Sequence, residues 1–433
     1  MSPDAPRDDP GGPRPVLPTP CAEARQTPAR PVAARLHHIE ESMSHPRLQL
    51  TSEQRALVGT VRELARDKFR DRATKYLDGT FPWENLRDLA AIGVLGMSIP
   101  EEYGGSDLAV FDTALVIEEV SKVCYATAMA LMGEVGVQVR VISTYAPPGM
   151  KRDILPKVCT GEAMLAVCMT EPHAGTDVPN YRTNTVIKGD RAIVKGVKTL
   201  ISRADEAEWF VVFSRIDGTP GREGIGCVLV NRNTPGFSVT ARYHTMGGEN
   251  LAEIQFDNCE VPVENVILRQ GGFKKLLSAF NTQRCLNPSV SLGLAEGAFE
   301  EAIKYVRERQ IFGHSVGEFQ GIRWKLADMY REIEAGRSLL YRACLTADPF
   351  PDPHEAAIAK MVVNEMAIRV TSEALQVHGG YGFTDEYPVS RFYRGVRYGT
   401  LGGGATETLK DLVGKKLLAD FDPVEGFLGM GTF

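Results

Sequence analysis

The chain has 433 residues, of which 43% are hydrophobic and 24% are charged, and this length corresponds to roughly three domains. Its formal net charge of −6 excludes the basic surface that nucleic-acid binding normally requires. No apolar run approaches the ~18–20 residues of a membrane-spanning helix, so no membrane partner is expected. The eight cysteines form no CxxC pair and the eight histidines no metal-ligand spacing, which predicts free thiols in a reducing cytoplasm and no metal site.

The first part of the chain changes character near residue 46. Residues 1–45 are rich in proline and arginine, a composition that predicts a disordered tail. Met43 is an alternative initiator, in which case the tail lies upstream of the true start, a hypothesis that the native mass tests. From Thr51 a capping-box pattern and helical apolar spacing follow, and they predict an N-terminal helical domain at 46–164.

The middle of the chain has the shorter apolar spacing of strands. Residues 252–256 alternate strictly between apolar and polar, and residues 225–230 form a short apolar run bounded by turn residues. These patterns predict a small antiparallel β-domain at 165–271.

The last part of the chain returns to helical spacing. One long helix carries an a/d-like apolar seam, which is typical of a packed bundle. The seam consists of Phe319, Ile322, Leu326, Met329, Ile333 and Leu340. It predicts a helical bundle at 272–421, followed by a C-terminal tail at 422–433.

Three stretches are more specific than packing patterns. They are Ala166-Val-Cys-Met-Thr-Glu-Pro-His-Ala-Gly-Thr-Asp177, Lys195-Gly-Val-Lys-Thr-Leu-Ile-Ser202 and Gln376-Val-His-Gly-Gly-Tyr-Gly382. Together with Arg309-Gln-Ile-Phe-Gly313 and Phe319-Gln320, they resemble the acyl-CoA dehydrogenase family in order and spacing over residues 47–421. The resemblance implies a mainly α fold with a helical domain, a central β-barrel-like domain and a C-terminal four-helix bundle. It also implies bound FAD and a homotetramer arranged as a dimer of dimers.

The chemistry of a flavin explains why such residues are useful. Its flat apolar ring with polar edges and a pyrophosphate needs hydroxyl or N–H donors, apolar walls and anion contacts. The resemblance implies cofactor contacts from Cys168, Met169, Thr170, Gly175, Thr176, Leu200, Ile201, Ser202, Arg309, Phe312, Gln320, Gln376, Gly379, Gly380 and Thr406. In the family the contacts around Gln320 and the GlyGly pair come from the neighbouring subunit. Taken alone, Gly175-Thr176 is also typical of a turn, and Arg309 of a solvated helix surface.

The resemblance also implies residues for the substrate. It places Asn281 and Arg284 on the side of an acyl thioester, with Arg284 near the phosphates of coenzyme A. Alone, Arg284 is equally typical of a helix surface. The carrier is coenzyme A or the pantetheine of a carrier protein, and an oxidative member also needs an electron-transfer partner.

The family's catalytic carboxylate is missing from its two usual positions. Dehydrogenation of an acyl thioester needs a carboxylate that takes the α-proton. Where the family has this Glu, the chain has Gly403 after the GGxG motif and Gln283 before Arg284. An amide cannot hold an abstracted proton. Glu407, four residues past Gly403, is the nearest candidate for a replacement base. Alternatively, it is a residue of the helix N-terminus or of the flavin edge.

Three hypotheses remain open from the sequence. One is FAD-dependent α,β-dehydrogenation with a relocated or altered base, and another is a redox-neutral lyase, desulfinase or cyclase in which Gln283 binds substrate. The third is a non-catalytic flavin-binding protein. Residues 280–284 and 402–404 resemble the desulfinase branch, but the arginine of that branch matches Met129. Leu200 and Gly402 replace family aromatics and predict a roomier acyl pocket.

Overall fold

The first third of the chain is helical, as its apolar spacing predicts. The computed structural model describes residues 49–422 and 426–427, so the predicted tail at 1–45, Met43 and most of 422–433 lie outside the described residues. The helices are α1 Ser52–Leu64, α2 Trp83–Ala91, α3 Val110–Ser121, α4 Tyr125–Glu134, α5 Val137–Tyr145 and α6 Pro148–Thr160. Helices α3 and α4 are buried along almost their whole length. Across the part of the chain that is described, no helix is both long and apolar enough to cross a membrane.

The central domain is one curled seven-stranded sheet. Its strands are β1 Leu165–Cys168, β2 Asn184–Lys188, β3 Arg191–Ser202, β4 Trp209–Ile216, β5 Ile225–Asn231, β6 Phe237–His244 and β7 Asn250–Pro262. The strand order is β1-β4-β2-β3-β7-β6, and β5 pairs with β4. The apolar positions predicted in β7 are confirmed, since Ala252, Ile254 and Phe256 are buried in the sheet core.

The pairing pattern differs from the prediction in one respect. Strands β1 and β2 both pair parallel with β4, so the sheet is mixed and the expectation of an antiparallel β-domain is wrong for this half. Parallel neighbours need a crossover connection rather than a hairpin. Here the chain reaches β4 from β1 only after forming β2 and β3, and the spacing of apolar residues within one strand does not reveal such pairing.

The last third forms the helical bundle. Its helices are α7 Phe273–Glu308, α8 Gln320–Leu345, α9 Pro353–Val377, α10 Pro388–Val396 and α11 Thr406–Asp420. Helix α7 packs against α8, α9, α10 and α3. The predicted seam of α8 is buried in its second half, at Met329, Ile333 and Leu340, whereas its first three residues are only half-buried.

Short connections between these helices carry residues of interest. A hairpin of β8 Gln310–Ile311 and β9 His314–Ser315 joins α7 to α8, and its turn contains Phe312. A glycine-rich loop at 399–404 joins α10 to α11. A second short pair, β10 Phe421–Asp422 and β11 Gly426–Phe427, follows α11.

Candidate active site

A buried ion pair fastens the two motif segments of the β-domain to each other. The Lys198 ammonium on β3 donates to the Glu171 carboxylate at 2.9 Å and to the carbonyl of Met169 at 2.8 Å. It also lies 3.8 Å from the centre of the Tyr181 ring. Burial lowers the pKa of Lys198 to about 8 although Glu171 opposes this shift. The pair therefore holds the segment just after β1 against the C-terminal part of β3.

Next to this pair, the strand ends expose an apolar patch with polar edges. The Thr199 N–H donates to the carbonyl of Thr170 at 2.9 Å, which joins the two segments. Leu200 follows with a φ of 57° and 52% exposure, at a bulge of β3 that turns its side chain outward. The half-buried Thr170 and Ser202 place hydroxyls on either segment. An exposed leucine flanked by hydroxyl donors fits one face and the edge of a flavin ring.

The other predicted cofactor residues fall into two groups. Cys168 and Ile201 point into the core of the sheet, so only their backbone can reach a ligand. Gly175 and Thr176 are exposed in the loop after β1, and Met169 is half-buried beside them. Thr406 is buried at the start of α11.

The predicted cofactor residues of the bundle lie at the surface of the single chain. They are Arg309, Phe312, Gln320, Gln376, Gly379 and Gly380, and all six are exposed. Phe312 is 90% exposed. The Arg309 guanidinium lies 5.9 Å from the centre of the Tyr381 ring. His378, within the same motif, is buried and its ring nitrogen contacts the carbonyl of Ala374 at 2.7 Å, which gives it a structural role.

The two predicted substrate residues contact each other inside α7. Arg284 donates from Nη1 to Oδ1 of Asn281 at 2.9 Å, and both side chains are buried. The Nε of Arg284 is buried without a hydrogen-bond partner among the described residues. Burial lowers the pKa of Arg284. A buried guanidinium that is only partly satisfied is costly unless an anion binds it, so this pair suits a phosphate-bearing ligand.

Gln283 and Gly403, the two positions where the resemblance leads us to expect a Glu, converge in space. A Cβ placed on Gly403 would lie 3.6 Å from Cγ of Gln283 and 3.5 Å from Cε of Lys360. The Gln283 amide donates to Sδ of Met132 on α4 at 3.4 Å and lies close to Tyr398. Gln283 and Gly403 therefore border the same space between α4, α7 and the glycine-rich loop.

Sequence reasoning missed Lys360, which holds that loop in place. Its ammonium is buried on α9 and donates to the carbonyls of Gly399 at 2.8 Å and Gly404 at 2.9 Å. Burial, together with the charge of Arg284, lowers the pKa of Lys360 to about 7. The sequence signal was a lysine among the apolar core positions of α9.

The prediction of a roomier acyl pocket is wrong at Gly402. A Cβ on Gly402 would lie 2.1 Å from Cε2 of Tyr398, so the Tyr398 ring fills the space beside this glycine. At Gly402, where the resemblance leads us to expect an aromatic residue, the aromatic ring comes from a residue four positions earlier.

The structure does not bring Glu407 into this cluster. Its side chain is exposed in the first turn of α11, whereas Thr406 beside it is buried. An exposed carboxylate keeps its ordinary hydration, which a base for a carbon acid should lose.

Two carboxylates that sequence reasoning missed lie near the space bordered by Gln283 and Gly403. Glu249 follows β6 and accepts a hydrogen bond from the Tyr125 hydroxyl of α4 at 3.1 Å, and burial raises the pKa of Glu249 to about 7. Glu134 at the end of α4 pairs with the Arg203 guanidinium, and burial raises the pKa of Glu134 to about 7 as well. The only sequence signal for Glu249 was the Gly-Gly pair before it.

A curled sheet with an exposed apolar patch edged by hydroxyls, set between two helical regions, is the arrangement of a flavoprotein oxidoreductase. Three family models match in chain order: acyl-CoA dehydrogenase N-terminal domain at 51–162, middle domain at 166–259 and C-terminal domain at 270–418. The chain belongs to the acyl-CoA dehydrogenase family, whose cofactor is FAD.

Relatives and solved structures cover nearly the whole fold. The chain is 34% identical over 374 residues to a short-chain-specific acyl-CoA dehydrogenase of Clostridium acetobutylicum, covering 85% of this chain and 98% of the relative. It is 35% identical over 382 residues to a 3-sulfinopropanoyl-CoA desulfinase of Paraburkholderia xenovorans, covering 86% and 97%. The structure of butyryl-CoA dehydrogenase from Megasphaera elsdenii matches with a TM-score of 0.81 and 31% identity, covering 86% and 99%.

Proposed function

We propose that this chain is an FAD-dependent enzyme that oxidises the α,β carbons of an acyl thioester, with a base that differs from the family's usual Glu. The observation that carries the proposal is the convergence of Gln283, Gly403 and Lys360 beside the buried Arg284. This arrangement keeps the family's reaction space but removes its carboxylate.

The residues of the β-domain fit the cofactor. Thr170 and Ser202 would face the polar edge of the flavin, Leu200 its apolar face, and Gly175-Thr176 its phosphates. When bound, FAD supplies the two-electron acceptor of the oxidation. Arg309, Phe312, Gln320, Gln376 and the glycines at 379–380 would contact the cofactor of a second subunit, which agrees with their exposure in one chain.

The residues of the bundle would hold and orient the thioester. Arg284, with its unpartnered Nε, would bind a phosphate of coenzyme A, and Asn281 would keep the guanidinium in place. Lys360 fixes the backbone of the loop that carries Gly403. The Gln283 amide can orient a thioester carbonyl by hydrogen bonding, but it cannot accept a proton.

Anaerobic mixing with a panel of acyl-CoA esters tests this proposal. The oxidation predicts loss of the visible flavin absorbance and formation of an enoyl-CoA. Arg284→Gln should raise the KM at least tenfold with the flavin retained, and Arg307→Gln, at an exposed position of the same helix, should leave it unchanged. Absence of both bleaching and product with every ester would refute an acyl-thioester oxidation.

A redox-neutral reaction is the second candidate, and a desulfinase is its best-defined form. The observation that favours it is a cation near the position where the desulfinase branch has its arginine. The Arg203 guanidinium lies against Gly133, one turn of α4 beyond Met129. Release of sulfite from 3-sulfinopropanoyl-CoA without flavin bleaching would select this reaction. A flavin-containing protein that transforms none of these esters would be a non-catalytic member.

The organisation of the protein forms part of the proposal. We infer domains at 46–164, 165–271 and 272–421, a homotetramer arranged as a dimer of dimers, and a cytoplasmic location. The acyl carrier is coenzyme A or a carrier protein, and comparing butyryl-CoA with a butyrylated carrier protein separates the two. An oxidative enzyme would pass its electrons to an electron-transfer partner.

A further inference from the structure

We propose that Glu249 is the carboxylate that accepts the α-proton of the thioester in this chain. The inference rests on the proposed function and names the residue that acts as the base of the proposed oxidation. The family supplies its base from α7 or from the glycine-rich loop, whereas Glu249 comes from the turn between β6 and β7.

The backbone of this turn is pressed against the helical domain. The Gly248 N–H donates to the carbonyl of Thr245 at 3.1 Å, and the Thr245 N–H donates to the carbonyl of Glu249 at 2.9 Å. A Cβ on Gly247 would lie 2.6 Å from Cε1 of Tyr125, and one on Gly248 would lie 2.9 Å from Cα of Leu77. Only glycine permits both approaches, so the pair fixes where Glu249 enters the domain interface.

Tyr125 and Tyr398 connect Glu249 to the reaction space. The Tyr125 hydroxyl donates to Oε1 of Glu249 at 3.1 Å. Tyr398 lies close to both Gln283 and Glu249, and its ring occupies the space beside Gly402. Since Gln283 borders Gly403, the side chains of Tyr398 and Gln283 connect Glu249 to the place where the family puts its base.

The electrostatic surroundings suit a general base. The groups that face Glu249 are Tyr125 from α4, Tyr398 from the loop after α10 and Arg203 from the end of β3. Burial raises the pKa of Glu249 to about 7, and the Tyr125 hydrogen bond and the Arg203 charge only partly oppose this. A carboxylate with a pKa near neutrality is an effective proton acceptor at neutral pH.

Glu249 is better suited than the other two nearby carboxylates. Glu134 is fully buried and its Oε1 pairs with the Arg203 guanidinium, so it is not open to a substrate. Glu407 is exposed on α11. Glu249 combines burial with an accessible part of its surface, as a group lining an internal space should.

The proposed step needs no oxidant. The bond between the α-carbon and its hydrogen breaks, a bond between that proton and a carboxylate oxygen of Glu249 forms, and the electron pair remains on the thioester as its enolate. In heavy water the Glu249 carboxyl exchanges its proton for a deuteron, and reversal places deuterium on the α-carbon. Deuterium exchange at the α-carbon therefore measures proton transfer by the base without requiring the oxidation to occur.

Deuterium exchange into butyryl-CoA, followed by NMR on the anaerobic holoenzyme, tests the assignment. Glu249→Gln keeps an acceptor for the Tyr125 hydroxyl but removes the base, and we expect the exchange rate to fall at least ~100-fold. Glu253→Gln on β7, whose carboxylate accepts a hydrogen bond from the edge residue Thr240, is the matched control and should exchange like the wild type. The wild-type rate should rise with pH through about 7 and then level off, since Glu249 must be ionised.

The outcomes distinguish this inference from the proposed function. Perturbation of the flavin spectrum by butyryl-CoA reports binding in each variant. An exchange rate in Glu249→Gln equal to that of the wild type would overturn Glu249 as the base. The same conclusion would follow if the wild type bound butyryl-CoA but exchanged no deuterium. Both outcomes would leave thioester binding intact. A wild type that binds no butyryl-CoA or longer acyl-CoA would overturn the proposed function and this inference with it.

Discussion

At Gly403 the neighbouring side chains leave enough room for a side chain, although glycine has none. Its φ of +70° favours glycine, yet a Cβ there would meet Lys360 and Gln283 only at ordinary contact distances. A substituted residue should therefore be strained by its backbone, at a cost of ~1–2 kcal/mol, but not blocked by its neighbours.

Gly403→Glu tests whether a carboxylate at this position restores the family's reaction. We expect a folded, flavin-containing variant in which butyryl-CoA bleaches the flavin at least tenfold faster than in the wild type, measured by anaerobic stopped-flow absorbance. Gly402→Ala, which places a methyl group in the Tyr398 ring, should lose stability without any gain in rate. An unchanged rate in a folded Gly403→Glu protein would mean that a carboxylate at 403 is not what limits the oxidation, as expected where Glu249 already supplies the base.

The buried Lys360 should make stability depend on pH. Its pKa in the folded protein, about 7, lies below the ordinary value of 10.5, so the unfolded chain binds this proton more readily. The folded state is therefore disfavoured at low pH, and the free energy of unfolding should rise as pH increases from about 7 toward 10. In Lys360→Met this contribution disappears, so the wild type should gain stability over the variant between pH 6 and pH 9 in urea unfolding. A difference that stays constant with pH would contradict the assignment.

At the scale of elements, the Lys198–Glu171 pair joins β1 to β3 and supports the flavin patch. Lys198→Met leaves Glu171 buried without its counter-ion, which typically costs ~3–5 kcal/mol. We expect a lower free energy of unfolding and loss of bound FAD during gel filtration, measured from the ratio of visible to ultraviolet absorbance. Lys195→Met, at an exposed position of the same strand, should retain both. A Lys198→Met protein that keeps its stability and flavin would show that hydrogen bonds alone join the strands.

Elements with strong local patterns could be predicted from the sequence, and contacts between distant segments could not. The alternation in β7 predicted its buried face because each strand residue alternates sides. The parallel pairing of β1 and β2 with β4 depends on crossovers that leave no local signal. For the same reason the sequence pointed to Gln283 and Gly403 by their motifs but missed Glu249 and Tyr398, whose positions depend on how turns and loops approach α4 and α7.

At the scale of the whole molecule, one chain leaves large apolar side chains at its surface. Phe312 is 90% exposed and Phe383 89% exposed, and both lie on short connections of the bundle. Such exposure is typical of an interface between subunits. We expect Phe312→Ser to shift the proposed homotetramer toward smaller species in light scattering and to weaken FAD binding, whereas Ile92→Ser in the N-terminal domain should change neither. A tetramer unaffected by Phe312→Ser would place the interface elsewhere.

The Tyr398 ring over Gly402 also couples the choice of residue at these two positions. A side chain introduced at 402 collides with Tyr398, whereas shrinking Tyr398 first leaves a void that a later substitution at 402 can occupy. A larger residue at 402 is therefore accommodated only together with a smaller residue at 398. Substitutions at the two positions should be non-additive, because residues in direct contact share the space that each change opens or fills.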